Sequence, residues 1–282
     1  MVCLKEYLEL VTFQHTLFAL PFAYLGILLG ARRIADWTVW FWVTLIMISA
    51  RTFGMGINRL IDQELDAQNP RTANRALPAG RLKRYQVRGL IMISAIAVII
   101  ACAALNQTTL LLSPVALVVM GSYSYLKRFT WLSHFVLGVI LGCAPVLGWL
   151  AASGKIASDA ILLGCAVLFW VAGFDIIYAT LDVEFDQHHL LWSIPSYLGI
   201  RFGLFISKIC HCVTLFFLGL VGWNMGLGVW YWTGFLIAAG LLYYQHRIVI
   251  PEDLSRVNRA FFVANGWLSV VLFLMTLLDV VF

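Results

Sequence analysis

Long apolar runs dominate the chain, separated by short polar stretches. Nine of them approach the ~20 residues that a helix needs to cross hydrocarbon. They lie at roughly 10–30, 37–57, 86–105, 108–126, 132–151, 159–179, 203–222, 226–245 and 260–281. They do not show the short alternating segments of a membrane β-barrel. The pattern predicts an all-α polytopic membrane protein with nine transmembrane helices. The longest non-spanning stretches, about 58–85 and 180–202, are polar and acidic. With no long linker, one domain is expected over residues 1–282, built of two similar helical halves at about 1–128 and 129–282.

Composition narrows the class further. Apolar types make up 62% of the 282 residues and charged types 12%, with a mean hydropathy of +0.89. A soluble domain carries roughly 25% charged residues, so a soluble enzyme, a disordered chain and a coiled coil are excluded. The net charge of +5 sits in short loops, which points to membrane orientation and not to nucleic acid. Five of the six cysteines (Cys3, Cys102, Cys143, Cys165, Cys210, Cys212) lie inside apolar runs, and none forms a CxxC pair. They read as small core residues. Cys210-His211-Cys212 does not converge on a helix, so it is not a metal site.

Lys5, Arg59, Arg71, Arg75, Arg81, Lys83, Arg84, Arg88, Lys127, Arg128, Arg201, Arg247, Arg256 and Arg259 share one face of this topology. Only Arg32, Arg33 and Lys155 fall on the other. The N-terminus is therefore expected in the cytoplasm and the C-terminus outside. The first run is too long for a cleaved signal, and a bacterial plasma membrane is the simplest location.

Seven of the 14 acidic residues fall in two clusters. One is Asn58-Arg59-Leu60-Ile61-Asp62-Gln63-Glu64-Leu65-Asp66; the other runs from Asp175 to Asp186. Each contains Asp-x-Glu-x-Asp at the expected cytoplasmic end of a span. The spacing suggests a weak internal repeat and two halves that face each other. On a continuous helix Asn58, Asp62 and Asp66 share a face, as do Asp175, Asp182 and Asp186, whereas Glu64 and Glu184 point away. Carboxylates four residues apart repel unless a cation sits between them. Oxygen-only donors favour Mg²⁺, which typically also binds substrate phosphates. Asn58, Asp62, Asp66, Asp182 and Asp186 are the expected metal-binding set, holding a diphosphate between the clusters. Solvated helix ends are the plain alternative, and the duplicated spacing argues against it.

A diphosphate also needs cationic partners. Arg59, Arg71 and Arg75 lie near the first cluster. Tyr123 and Lys127, at i and i+4, would meet one phosphate together, although topology alone also accounts for the basic residues. Arg51 lies seven residues before Asn58, about 10 Å deeper on nearly the same face. An ionised Arg at that depth needs an anion. It pairs with Asp175 or another buried group, or it binds a substrate anion.

These residues resemble a known family. Asn58-Arg59-x-x-Asp62-x-x-x-Asp66-x-x-Asn69-Pro70-Arg71-Thr72-x-x-Arg75-x-Leu77-Pro78-x-Gly80 is similar to the first signature of UbiA-type intramembrane prenyltransferases. Asp175-x-x-Tyr178-Ala179-x-x-Asp182-x-x-x-Asp186, followed by Ser193-Ile194-Pro195, resembles the second, and Tyr123-x-x-x-Lys127 the family's Tyr-x-x-x-Lys element. The branch most resembled is that of the 4-hydroxybenzoate polyprenyltransferases of quinone biosynthesis. The resemblance implies a helical membrane fold around a cavity open to cytoplasm and lipid. It implies Mg²⁺-dependent transfer of a polyprenyl group from its diphosphate to a hydroxy-aromatic acid. Asp62, Asp66, Asp175, Asp182 and Asp186 would then be catalytic. Arg51, Asn58, Arg59, Arg71, Arg75, Tyr123, Lys127 and Tyr178 would bind substrate. Arg51 would hold the acceptor's carboxylate, and Asp175 would hydrogen-bond its phenol or help remove the ring proton. The partners are the polyprenyl diphosphate, the aromatic acid and membrane lipid. Gln187-His188-His189-Leu190-Leu191-Trp192 departs from the family's usual pattern, which leaves a hydroxy-naphthoate acceptor of menaquinone biosynthesis as an alternative. A transporter would place its binding residues at the membrane midplane, and a CDP-alcohol phosphotransferase would carry a signature that this chain lacks.

Overall fold

The computed structural model describes residues 4–12 and 16–282, with side chains described at 4–12 and from Ala19 onward. The described residues are helical and contain no β-strand. The helices are α1 (Leu4–Val11), α2 (Thr16–Ala31), α3 (Trp37–Ile61), α4 (Gln63–Gln68), α5 (Arg84–Leu105), α6 (Gln107–Leu126), α7 (Ser133–Ser153) and α8 (Ser158–Ala179). There follow α9 (Val183–His188), α10 (Ile194–Leu198), α11 (Ile200–Met225), α12 (Val229–Ile248), α13 (Val257–Arg259) and α14 (Asn265–Val281). A five-residue π-turn, Ala260–Ala264, joins the last two.

Among the described residues, seven helical segments are long and apolar enough to cross a membrane. They are Trp37–Ile61, Arg84–Leu105, Gln107–Leu126, Ser133–Ser153, Ser158–His188, Ile200–Met225 and Val257–Val281. Two further runs expected as spans are helical but fall outside these seven. The apolar part of α2, Ala19–Ala31, is shorter. Helix α12 has twenty residues, but Gln245, His246 and Arg247 in its last turn, with its Trp and Tyr side chains, lower its hydropathy.

The expected first span also needs correction at its start. Leu10 and Val11 belong to the separate helix α1, which ends in a turn at Thr12 with φ 49°. Leu10 is apolar because it packs with Ala76, Leu77, Leu82 and Val87, not because it continues a membrane run. Residues 13–15 of that run lie outside the described residues.

Packing groups the chain into two units. One holds α1, α3 from Phe41 onward, and α4–α6 as far as Tyr125; the other holds Phe18–Trp40 and everything from Leu126. In the first, Gly56 lets α3 approach α5, since a Cβ there would strike Ile91. In the second, Gly26 and Gly148 bring α2 against α7, each set against backbone of the other helix at Pro145 and Ala23. The second unit's core gathers Phe22, Trp149, Trp170, Phe174, Tyr231 and Phe261. Each buried aromatic of this kind removes a large apolar area from its surroundings.

Polar groups inside this core are paired across helices. Trp170 Nε1 donates to Asn265 Oδ1 at 3.0 Å, and Asn265 Nδ2 donates to the Phe261 carbonyl within the π-turn. A π-turn leaves backbone groups without regular partners, and the Asn amide supplies one. At the opposite end of this unit, Asp279 accepts from the Gly228 and Tyr231 N–H groups and so caps α12. This places the chain's C-terminal end beside the α11–α12 connection.

Candidate active site

The first signature folds as a helix end followed by a chain of turns. The axis breaks at Asp62, between α3 and α4. The backbone bonds nevertheless keep helical spacing, from Asp62 N–H to Asn58 C=O at 2.9 Å and from Asp66 N–H to Asp62 C=O at 2.7 Å. Asp62 and Asp66 are therefore turned inward, 3% and 7% exposed, while Glu64 is exposed. This division is the one that helical spacing predicts. Asn58 Nδ2 donates to Asp62 Oδ2 at 3.1 Å.

The Asn-Pro that follows stops the helix, because a residue before proline avoids the helical region. Asn69 Oδ1 then accepts the Arg71 N–H, and Thr72 Oγ1 donates back to the Asp66 carbonyl. Successive turns carry the chain to Gly80, whose φ of 72° suits glycine. Ala76, Leu77 and Leu82 anchor this loop in the small core beneath it. The turns deliver Arg75 to Asp66, with Nη1 to Oδ1 at 2.7 Å, and leave Arg71 exposed.

Arg59 is engaged by protein groups on two sides. It is buried; Nε donates to the Leu10 carbonyl at 3.3 Å, Nη2 to Thr12 Oγ1 at 3.1 Å, and Nη1 lies 3.7 Å from Asp66 Oδ2. It ties α1 to the acidic cluster. Arg81 reinforces this tie through Glu6, Glu9 and the Asn74 carbonyl. Hydrogen bonds to Glu6 and Glu9 hold the Arg81 guanidinium above its ordinary pKa.

Arg51 lies about two helical turns below Asn58. The Tyr123 phenol on α6 is close enough to act on Arg51 electrostatically. Arg51 Nε is buried and, among the described residues, bonds no protein atom. An unpaired buried guanidinium N–H is costly, so this donor is set for an anion.

In the second signature the expected continuous helix is interrupted. Helix α8 ends at Ala179, a 3₁₀ turn covers Thr180–Asp182, and α9 begins at Val183. The shared face of Asp175, Asp182 and Asp186 is therefore not that of one regular helix, because the tighter turn changes the rotation per residue. Asp186 lies near Asp182, takes a hydrogen bond from Ser193, and is close to Lys127 and His134. Glu184 is exposed. Lys127 is fixed through its carbonyl, which accepts the Trp192 N–H at 2.7 Å. Tyr178 packs on Phe261 with ring centroids 4.5 Å apart. His189 stacks on Phe185 and donates through Nδ1 to its carbonyl, and His188 is exposed, so neither is drawn into the acidic group.

The ion-pair partner of Asp175 is His134, with Nδ1 to Oδ2 at 2.7 Å. Sequence reasoning passed over His134. The available signal is a histidine at the first turn of a helix whose other residues are apolar or small.

Among the described residues, no three His, Cys, Asp or Glu side chains converge into a metal cage. The donors still fit Mg²⁺, which takes few protein carboxylates and completes its shell with water and phosphate. The donors are oxygens, and Asp66 Oδ2 is buried without a hydrogen-bond partner.

Comparison with known proteins decides the family. Residues 19–269 match the profile described as the UbiA prenyltransferase family. The chain belongs to that family. It is 29% identical over 238 residues to a 4-hydroxybenzoate octaprenyltransferase of Janthinobacterium sp. (strain Marseille), covering 84% of this chain and 83% of that one. A protein of the same description from Escherichia fergusonii is 27% identical over 250 residues, covering 84% and 86%. The apo structure of a UbiA homologue from Aeropyrum pernix K1 superposes with a TM-score of 0.85 at 32% identity, covering 94% and 98%. A UbiA homologue from Archaeoglobus fulgidus, solved bound to GPP and Mg²⁺, shares the fold at 18% identity with a TM-score of 0.74, covering 98% and 100%. The chain is thus an integral membrane prenyltransferase.

Proposed function

We propose that this prenyltransferase moves a polyprenyl group from its diphosphate onto a hydroxy-aromatic acid of the 4-hydroxybenzoate type. The observation that carries this reading is Arg51, a buried guanidinium whose Nε has no protein partner. It suits an acceptor that bears a carboxylate. The relatives described as 4-hydroxybenzoate octaprenyltransferases support the same acceptor class.

Asn58, Asp62, Asp66, Asp182 and Asp186 are assigned to divalent cation. Bound Mg²⁺ would neutralise the diphosphate and so favour its departure. Arg71, Arg75, Tyr123 and Lys127 are assigned to the phosphate oxygens. Arg59 is assigned a positioning role, since its donors already serve α1 and Asp66. Tyr178 is assigned to the wall of the substrate site.

In the reaction the allylic C–O bond breaks and the diphosphate leaves with the electron pair. A ring carbon ortho to the hydroxyl forms the new C–C bond. The proton on that carbon then departs and aromaticity returns. Asp175 is the carboxylate assigned to the phenol or to this proton. Apolar walls keep water from the allylic cation. The reading includes nine spans in a bacterial plasma membrane, with the N-terminus cytoplasmic and the C-terminus outside. The acidic clusters then lie at the cytoplasmic face, and the prenyl tail lies in lipid.

The test is mass spectrometry of products from purified protein with Mg²⁺, geranyl diphosphate and a panel of hydroxy-benzoates and hydroxy-naphthoates. A prenylated hydroxy-benzoate as the main product is expected. Preference for a naphthoate, or for an acceptor without a carboxylate, overturns the acceptor assignment.

A further inference from the structure

His134 is the only imidazole joined to an acidic residue of either signature among the described residues. It is 4% exposed, and both of its ring nitrogens are engaged. Nε2 receives the backbone N–H of Ile194 at 3.2 Å, and Nδ1 faces Asp175 Oδ2 at 2.7 Å. A nitrogen that accepts a hydrogen bond carries a lone pair, so the proton of a neutral ring sits on Nδ1. The ring therefore donates to Asp175, and the carboxylate accepts.

We propose that His134 is a positioning residue for the reaction: it holds Asp175 as an aimed carboxylate with Oδ1 left for the acceptor. The inference rests on the assignment of Asp175 to the acceptor. Among the described residues, Asp175 has this single hydrogen bond, at Oδ2. Its side chain is 23% exposed, and Oδ1 is not committed to a protein hydrogen bond.

The bond also separates duties among three neighbouring carboxylates. His134 lies close enough to Asp186 to act on it electrostatically, yet bonds Asp175. Without the imidazole, Asp175 could rotate toward the cations drawn by Asp182 and Asp186. One bond to Oδ2 restricts that rotation. A hydrogen-bonded supporting residue commonly sets the orientation and basicity of the group it supports. The Ile194 contact makes the ring a strut as well: Ile194 opens α10 beside Ser193, which bonds Asp186.

Two substitutions divide the ring's two bonds. The Asn amide occupies the place of Nδ1, so His134→Asn keeps a donor for Asp175 and loses the acceptor for Ile194. The Gln amide occupies the place of Nε2, so His134→Gln keeps the Ile194 contact and loses the donor. Asp175→Asn is made alongside. Each variant is measured for thermal stability and for KM and kcat with geranyl diphosphate and with the aromatic acid. His134→Gln is expected to fold normally and to lower kcat/KM for the acid by about 10- to 100-fold. Its KM for geranyl diphosphate should stay within a factor of about three. His134→Asn is expected to melt at a lower temperature while keeping most acceptor kinetics. If Asp175→Asn impairs the acceptor step but His134→Gln does not, the positioning role fails and the role of Asp175 stands. Loss in both His134 variants in proportion to lost stability makes the ring a clamp only and overturns the proposal. If Asp175→Asn leaves acceptor kinetics intact, the assignment of Asp175 falls, and the role of His134 with it.

Discussion

At the scale of single residues, burial sorts the acidic side chains into two kinds. Asp62 and Asp66 are buried, and Glu64, between them in sequence, is exposed. Burying two like charges is unfavourable without cations, and here Arg75 and Arg59 stand against Asp66. Alanine at Asp62, Asp66, Asp182 or Asp186 should lower kcat/KM by about 100-fold or more, whereas Glu64→Ala and Glu184→Ala should stay within about threefold. Steady-state assays on the six variants check this; equal losses at the Glu and Asp positions would remove the basis for the metal assignment. Arg51 makes a different demand. Losing a charge-assisted pair to the acceptor's carboxylate costs on the order of 2–4 kcal/mol. Arg51→Ala should therefore weaken the aromatic acid's kcat/KM by about 30- to 1,000-fold and spare the diphosphate. Arg51→Lys should recover part of the loss, because an ammonium cannot fork two bonds to one carboxylate. A rise confined to the diphosphate KM would instead move Arg51 to the phosphate site.

At the scale of elements, the breaks in helices α3 and α8 are as informative as the helices. The α3–α4 break keeps backbone bonding at i and i+4, so helical spacing still predicts which side chains turn inward. After α8 a 3₁₀ turn intervenes, so regular helical spacing alone does not account for the nearness of Asp182 to Asp186. Helix α12 illustrates capping from a distance: its first N–H groups are met by Asp279, some fifty residues later in the chain. An N-terminal carboxylate also suits the helix dipole. Asp279→Ala should cost about 0.5–2 kcal/mol, as loss of a cap does, read as a lower melting temperature in detergent with the prenyltransferase turnover retained. An unchanged melting temperature would show that water replaces the cap.

At the scale of the whole molecule, the membrane sets the terms. Seven helices meet the length and apolarity of a span, and the basic residues are distributed unevenly among the connections. The positive-inside bias predicts that reporters at residues 70 and 190 are cytoplasmic, and that reporters at Lys155 and after Phe282 are not. Accessibility labelling of single-cysteine variants measures this, and a reporter at 70 on the outer side would reverse the orientation. Excess EDTA should abolish turnover, with Mg²⁺ restoring it; full activity in EDTA would count decisively against metal-bound diphosphate.

The sequence by itself determined where the long helices lie, because a membrane span needs a continuous apolar run and polar punctuation ends it. It also determined the family, because Asn58-to-Gly80 and Asp175-to-Asp186 carry their spacing within a few turns of chain. It placed Glu64 away from Asp62 and Asp66 for the same local reason. Only the tertiary structure decided that Leu10 leaves the first run to pack with Leu77, that Arg59 ties α1 to Asp66, and that Asp175 meets His134. Leu10 and Leu77, Arg59 and Leu10, and Asp175 and His134 are separated by 41 to 67 residues, and no local period relates them. Which side chains meet across such distances is set by how helices cross. Here that includes the close approach of α2 to α7 at Gly26 and Gly148, which fixes which faces of the helices can touch.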